Sequence, residues 1–197
     1  MALQLKKGGT LQLKKESGQP AVTKIRLGLG WAFKPGLETD LDASVLFLGN
    51  NEKMWAEDSL VFYHKLMSDD GAVIHQGDVR GEEAGGDDGD DEEITIDLTK
   101  VSPLTKSLLA VVTSYSDHEP VFFGRVASAY VKIYDESKPN EKKELATFDL
   151  SEDMSNFTAM TMGRLDRVGD HWEFHAVNEG VGKSANGLED IIAKYGY

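Results

Sequence analysis

The chain has no cysteine, and this absence excludes several kinds of structure and site. Without a thiol among its 197 residues, it can form no disulfide, no thiolate zinc site and no cysteine nucleophile. The fold must therefore be held by packing alone. The hydrophobic content of 40% is sufficient for a sizeable core. We predict one domain over residues 1–197.

Long apolar runs and clusters of basic residues are also missing. No stretch approaches the roughly 18 consecutive apolar residues of a membrane-spanning helix, so we expect a soluble, cytoplasmic protein without membrane insertion. The net charge is -13, and lysine and arginine gather nowhere along the chain. Proteins that bind nucleic-acid phosphates depend on such clusters. Nucleic acid is therefore not an expected partner.

What the sequence does contain is a glycine-rich acidic loop at about 77–93. Eight carboxylates lie between Glu82 and Glu93, and no lysine or arginine lies among them. They account for more than half of the net charge. Like charges at this density repel one another, so the loop either stays extended in water or folds around hard cations, which take roughly six to eight oxygen ligands each. We interpret the loop as a calcium site.

Apolar residues alternate with a period of two in several short segments, which is typical of β-strands. The alternating segments are 10–14, 23–27, 93–98 and 129–134, and the more continuous apolar segments are 43–48, 60–63 and 108–112. Glycine, asparagine and aspartate separate them, as expected for turns. The pattern predicts an all-β fold, a β-sandwich of about ten short strands.

Two segments favour short helices, and a third is repeated. Ser102 and Pro103 suit the cap and first position of one helix. Asn186 is suited to cap a second helix. Its apolar stripe is Leu188, Ile191, Ile192 and Tyr195. At the N-terminus, LQLKK and TLQLKK flank Gly8 and Gly9, which predicts a hairpin or a paired sheet edge.

A second acidic segment precedes the apolar run at 43–48. Alternate residues of an extended chain point the same way, so Asp40, Asp42 and Ser44 would share one face at a spacing of roughly 7 Å per pair. Two carboxylates so placed could converge on one ion. This segment supports the interpretation of the acidic loop as a metal site.

The exit of the acidic loop repeats this geometry. If Ile94 and Ile96 face the core, Asp90 and Glu92 continue their row, and Asp91 and Glu93 face the other way. Carboxylates pointing both ways leave room for more than one cation. The glycines of the loop, Gly85, Gly86 and Gly89, permit the positive φ angles that folding around an ion requires.

Two other interpretations of the loop stay open. An acidic, glycine-rich loop is often only a solvated excursion that keeps a domain soluble. The spacing of an EF-hand is absent. Magnesium fits less well than calcium, because it prefers few carboxylates and retains its waters.

Several short motifs, in order along the chain, resemble the TerD-like tellurium-resistance and stress-protein family. The resemblance extends from Leu5 to about Gly187. The motifs include Gly28–Trp31, Asp40–Ser44, Phe62–Tyr63, Ile74–Asp78, Asp88–Glu92, Phe123–Val126, Tyr130–Ile133, Phe148–Asp153 and Thr158–Met160. After Asp78 the chain departs from the family pattern, with Val79, Arg80 and Gly81 and a loop about three residues longer.

The resemblance implies a β-sandwich that binds calcium, with two Ca²⁺ ions at one end. Carried over position by position, it implies as ligands Asp40, Asp42, Asp78, Asp88, Asp90, Asp91 and Glu92. It also implies a cytoplasmic bacterial stress protein associated with resistance to tellurite, phage and colicins. The partners expected on this basis are calcium, paralogous stress proteins or a membrane-associated complex. No catalytic residue comes with the resemblance.

An enzyme is the alternative function. A carboxylate-held metal can position a phosphate group, so the same cluster could serve a metal-dependent hydrolase acting on a phosphoester or an enzyme that processes a tellurium oxyanion. Such chemistry calls for nearby cations, and Arg80 is the one that the sequence places close to the cluster. We therefore expect a calcium-ordered binding or scaffold protein rather than an enzyme.

Overall fold

Two six-stranded sheets form the fold. The computed structural model describes residues 2–14, 21–37, 39–77, 89–138, 141–150 and 154–197. Sheet A runs, in spatial order, through β1 (Leu3–Leu5), β10 (Lys143–Asp149), β9 (Val126–Asp135), β3 (Lys24–Phe33), β7 (Glu92–Asp97) and β6 (Val73–His75). Sheet B runs through β2 (Thr10–Gln12), β12 (His171–Val181), β11 (Ala159–Val168), β8 (Ser107–Ser114), β4 (Leu41–Leu48) and β5 (Leu60–Val61).

This architecture confirms the predicted all-β sandwich. The described residues hold twelve strands where the sequence predicts about ten. Strand β6, with three residues, is too brief for an alternating pattern to reveal, whereas β5 lies within the predicted apolar segment 60–63. Within the described chain, no helix is long and apolar enough to span a membrane.

Strands β4 and β8 are buried on both faces, as their continuous apolar runs predict. On β4, Ala43, Val45 and Phe47 point between the sheets into the main core. Leu46 and Leu48 point to the opposite face of sheet B, into a second core. Helix α1 (Gly187–Tyr195) covers that second core and buries Ile191 completely.

The N-terminal repeat closes one edge of the sandwich. Its first copy forms β1, which pairs in parallel with β10 of sheet A, and its second copy forms β2, which pairs with β12 of sheet B. The hairpin prediction is wrong, and the paired-edge prediction is confirmed. Gly8, with a φ of 79°, lets the chain turn from one sheet to the other.

One of the two predicted helices is present. Asn186 caps α1 by accepting a hydrogen bond from the Glu189 N–H at 3.3 Å. The helix predicted at Ser102 and Pro103 is wrong, because this segment is a turn. Its Ser102 N–H donates to Asp70 Oδ2 at 2.9 Å, and the chain re-enters sheet B at Ser107. A 3-10 helix at Phe123–Arg125 has no counterpart among the predictions.

Candidate functional site at the acidic end

The two acidic segments of the sequence meet at one end of the sandwich, which we call the acidic end. It comprises Asp40 and Asp42 around the start of β4 and Asp90, Asp91 and Glu92 around the start of β7. Strands β4 and β7 lie in different sheets. They are joined where Glu92 Oε2 accepts a hydrogen bond from the Ala43 N–H at 2.7 Å. Segments about fifty residues apart in sequence are thus held together.

Glu92 is the carboxylate that connects the sheets. Glu92 is 2% exposed. Nε2 of His75, a residue of the edge strand β6, lies 3.4 Å from Glu92 Oε2. His75 Nδ1 accepts from the Gly77 N–H at 3.1 Å. In a neutral imidazole the proton is therefore on Nε2, facing the carboxylate. Glu92 is thus fixed by the Ala43 N–H, and His75 lies beside it within ion-pair distance.

Asp91 is held by the backbone of β3. Its Oδ2 accepts from the Trp31 N–H at 2.6 Å, and its own N–H donates to the Leu29 carbonyl oxygen at 2.7 Å. Burial raises the pKa of Asp91, the Trp31 hydrogen bond partly opposes this, and the negative charge of Asp90 raises it further. Ionising Asp91 therefore costs more free energy in this protein than it does in water.

Asp90 lies on the outer face of sheet A. The Tyr134 hydroxyl donates to Asp90 Oδ2 at 3.2 Å, and the Tyr130 hydroxyl is within donating distance of both Asp90 Oδ1 (2.9 Å) and the Gly89 carbonyl oxygen (2.8 Å). Burial and the carboxylate raise the pKa of both phenols, so they remain donors. Gly28 makes the room: a Cβ there would lie 2.0 Å from Asp90 Oδ2.

The predicted shared row of Asp90 and Glu92 is therefore wrong. Glu92 points between the sheets, and Asp90 points to the opposite face. Alternation requires an extended chain, but β7 begins only at Glu92, and Gly89 just before it has a φ of 78°. That positive φ confirms the sequence argument for Gly89. Gly85 and Gly86 lie outside the described residues.

The first acidic segment divides between solvent and the second core. Asp40 is exposed. Asp42 is 6% exposed and, with Ser44, shares the face of β4 that carries Leu46 and Leu48. The prediction that Asp42 and Ser44 share a face is thus confirmed. The Asp42 carboxylate, however, lies on the other face of β4 from the inter-sheet space that Glu92 enters.

Two predicted ligands, Asp78 and Asp88, lie outside the described residues. Among the residues that the structure does describe, no three histidine, aspartate or glutamate side chains form a ready metal cluster. The donor chemistry still suits a hard cation, because carboxylate oxygens are what calcium prefers. A cation bound beside Asp91 would favour its ionised form and oppose the rise in its pKa.

The structure also places residues at the acidic end that the sequence did not indicate. Besides the two tyrosines, Lys132 Nζ lies 3.6 Å from Asp90 Oδ1, so Arg80, itself outside the described residues, is not the one cation near these acids. The pairing of β9 with β3 brings them there. The sequence did contain a signal for this contact. Gly28 and Gly30 occupy alternate positions of β3, and Tyr130, Lys132 and Tyr134 occupy alternate positions of β9.

Replacing Asp91 by asparagine should stabilise the metal-free protein. A folded-state pKa above the ordinary value of 3.8 means that the folded chain binds the proton more tightly, so stability falls as pH rises through this range. The asparagine side chain keeps an oxygen that can accept the hydrogen bond from the Trp31 N–H. Because this side chain does not ionise, the loss of stability with rising pH is removed. In chelator, we expect Asp91→Asn to melt above wild type at pH 7 and to converge with it as the pH falls below the ordinary value of 3.8. A lower melting temperature at pH 7 would contradict this.

Comparisons with known proteins match this chain to one domain family along almost its whole length. The TerD domain model matches residues 1–195. The tellurium resistance protein TerD of Serratia marcescens is 36% identical over 199 residues, which cover 100% of this chain and 98% of that protein. General stress protein 16U of Bacillus subtilis is 34% identical over 200 residues, with coverage of 100% and 98%.

Solved structures agree with the fold. The crystal structure of a homologue of the telluride resistance protein TerD from Streptomyces coelicolor superposes with a TM-score of 0.63 at 21% identity. The superposition covers 85% of this chain and 98% of that one. At this identity the likeness concerns the sandwich, and the function must be argued from the sequence relationship and the site.

Proposed function

Because this chain belongs to the TerD domain family, we propose that it is a calcium-binding stress-response protein whose acidic end, once ordered by cations, serves as a binding or scaffold surface. The proposed ligands are Asp40, Asp42, Asp91 and Glu92, together with Asp78 and Asp88 of the loop and with main-chain carbonyl oxygens. Two ions per chain are proposed. Calcium would add positive charge to an end of the molecule at which carboxylates predominate.

One observation carries the proposal: the hydrogen bond from the Ala43 N–H to Glu92 Oε2. It joins the start of β4, where Asp40 and Asp42 lie, to the start of β7, where Asp91 and Glu92 lie. Oxygen ligands from distant parts of the chain must be held near one another before a cation can bind them at low entropic cost. The acidic loop returns to the sheet at this same place.

In this proposal Asp90 is a positioning residue. The Tyr130 and Tyr134 hydroxyls hold its carboxylate on the outer face of sheet A, which fixes the turn between Gly89 and Asp91. That anchoring orients Asp91 and Glu92 and leaves them as the proposed ligands among the described residues at the start of β7. As a direct ligand, Asp90 stays a prediction of the family resemblance.

We propose that the ordered surface binds another protein rather than a substrate. Neutralising the loop removes a repulsion that would oppose any acidic partner, so a paralogous stress protein or a membrane-associated complex could dock in a calcium-dependent way. The metal-dependent hydrolase is kept as the alternative, because Lys132 beside Asp90 offers one cation for an anionic substrate. Calcium- or magnesium-dependent turnover of p-nitrophenyl phosphate, lost in Asp91→Asn, would favour the alternative.

Thermal unfolding with and without calcium tests the proposal. A ligand that binds the folded state alone stabilises it by about 2.7 kcal/mol at a hundredfold excess over Kd, which for a chain of this size raises the melting temperature by roughly 5–10 °C. We expect this rise with calcium and a smaller one with equal magnesium. No rise at millimolar calcium would contradict the proposal.

A further inference from the structure

A cavity of about 280 Å³ lies between the sheets beside the acidic end. Its walls come from both sheets and from Leu150, Met154 and Ser155, which lie between β10 and β11. They are mainly apolar, and the side chains that matter most here are Trp31, Leu41, Phe123, Met154, Met160 and Met162. Met160 and Met162 belong to the main core, so the cavity opens the core toward solvent at this end.

The mouth of the cavity carries a positive charge. Lys34, an exposed residue just after β3, lines it. Its Nζ donates to the Gly124 carbonyl oxygen at 2.7 Å, and its N–H donates to the Arg125 carbonyl oxygen at 2.8 Å. These bonds hold the lysine across the gap between β3 and the 3-10 helix. An ammonium so placed, at the rim of an apolar cavity, is complementary to an anionic head group.

Size and lining limit what the cavity accepts. An apolar cavity of about 150 Å³ holds benzene, so one of 280 Å³ accommodates a body of about ten non-hydrogen atoms. Three methionines make the wall adaptable, because an unbranched thioether side chain fits many shapes. Keeping such a cavity costs folding free energy, and an apolar ligand would offset that cost.

We propose that this cavity is a binding site for a small amphipathic carboxylate, a medium-chain fatty acid of about eight carbons. The alkyl chain lies among Met154, Met160, Met162 and Phe123, and the carboxylate meets the Lys34 ammonium at the mouth. None of the proposed calcium ligands lines this cavity, although Trp31 and Tyr130 belong to both surroundings.

Methyl NMR on the methionines tests the proposal directly. Protein labelled with ¹³C at the methionine methyl groups is titrated with sodium octanoate in chelator, so that the result does not depend on calcium. We expect saturable shifts of the Met154, Met160 and Met162 methyl signals. Met54, in the second core, and Met67, exposed beside the edge strand β6, serve as internal controls and should stay in place. Absent shifts, or equal shifts of all five signals, would overturn the proposal.

Two variants and one analogue sharpen the result. Ala129, a half-buried residue of the wall, is replaced by leucine to fill the cavity, and octanoate affinity should fall by about tenfold or more. Lys34→Gln should lower it about two- to fivefold, as expected for an exposed ion pair. Octylamine should bind more weakly than octanoate. Unchanged affinity in the filled variant, or tighter binding of octylamine, would contradict the assignment. If Ala129→Leu does not fold, Val126→Phe at the wall takes its place.

Discussion

Replacing Glu92 by glutamine is expected to remove about half or more of the calcium-dependent rise in melting temperature while leaving the metal-free protein folded. The glutamine amide oxygen can still accept the Ala43 N–H that Glu92 Oε2 accepts at 2.7 Å, so the link between the sheets is retained. The negative charge that a cation requires is lost. We expect calcium affinity to fall by about tenfold or more, or roughly 1.4 kcal/mol.

Alanine at the same position separates structure from binding. Glu92→Ala leaves the Ala43 N–H without its acceptor in a buried site and leaves His75 Nε2, 3.4 Å away, without its neighbour. We expect it to lower the free energy of unfolding by about 2–4 kcal/mol, as measured by urea denaturation in chelator. Asp170→Asn, in the exposed turn between β11 and β12 at the other end of the sandwich, is the matched loss of one charge and should change neither quantity. Unaltered calcium affinity in Glu92→Gln would show that the site lies elsewhere.

Replacing Gly28 by alanine is expected to destabilise the protein strongly, because the added methyl group would collide with Asp90 at the acidic end. Its Cβ would lie 2.0 Å from Asp90 Oδ2, 2.5 Å from Asp90 Cγ and 3.0 Å from the Tyr134 ring. Asp90 would have to leave its place, and the bonds from Tyr130 and Tyr134 would be lost with it. We expect the free energy of unfolding to fall by about 2–4 kcal/mol.

Gly49 provides the control for Gly28, because a Cβ there would meet no atom closer than 3.5 Å. Gly49→Ala should be nearly neutral. The proposed cause is tested by combining Gly28→Ala with Asp90→Ala: once the obstructing carboxylate is gone, the added methyl group should cost far less than it does in wild type. An interaction energy of about 1–3 kcal/mol is expected. Simple additivity of the two substitutions would mean that Asp90 is not what Gly28 accommodates.

Much of the sandwich could be predicted because the order of apolar and polar residues in its strands reflects which faces are buried. The unbroken apolar runs of β4 and β8 reflect cores on both faces of sheet B, and the cap and stripe of α1 follow from Asn186 and Ile191. The turn at Ser102 was mistaken for a helix because Ser-Pro suits both structures. The hydrogen bond from Ser102 to Asp70 and the return of the chain to sheet B at Ser107 favour the turn. Neither is a local feature of the sequence.

The meeting of the two acidic segments at one end of the sandwich could be expected from the sequence, and the directions of their side chains could not. Asp90 and Glu92 alternate in sequence, yet a bend after Gly89 turns Asp90 toward Tyr130 and Tyr134. Those tyrosines reach Asp90 only because β9 pairs with β3 beside β7. Strand order is a property of the whole fold, and no local pattern specifies it. The loop at 78–88 lies outside the described residues, and its ligands stay predictions.

Isothermal titration calorimetry with calcium tests the central claim most directly. The wild-type protein, freed of metal by chelator and dialysis, is titrated with calcium chloride and separately with magnesium chloride. The proposal predicts a saturable heat with about two calcium ions bound per chain, weaker binding of magnesium, and a reduced affinity in Glu92→Gln. No saturable heat at millimolar calcium, or an identical isotherm in Glu92→Gln, would contradict it.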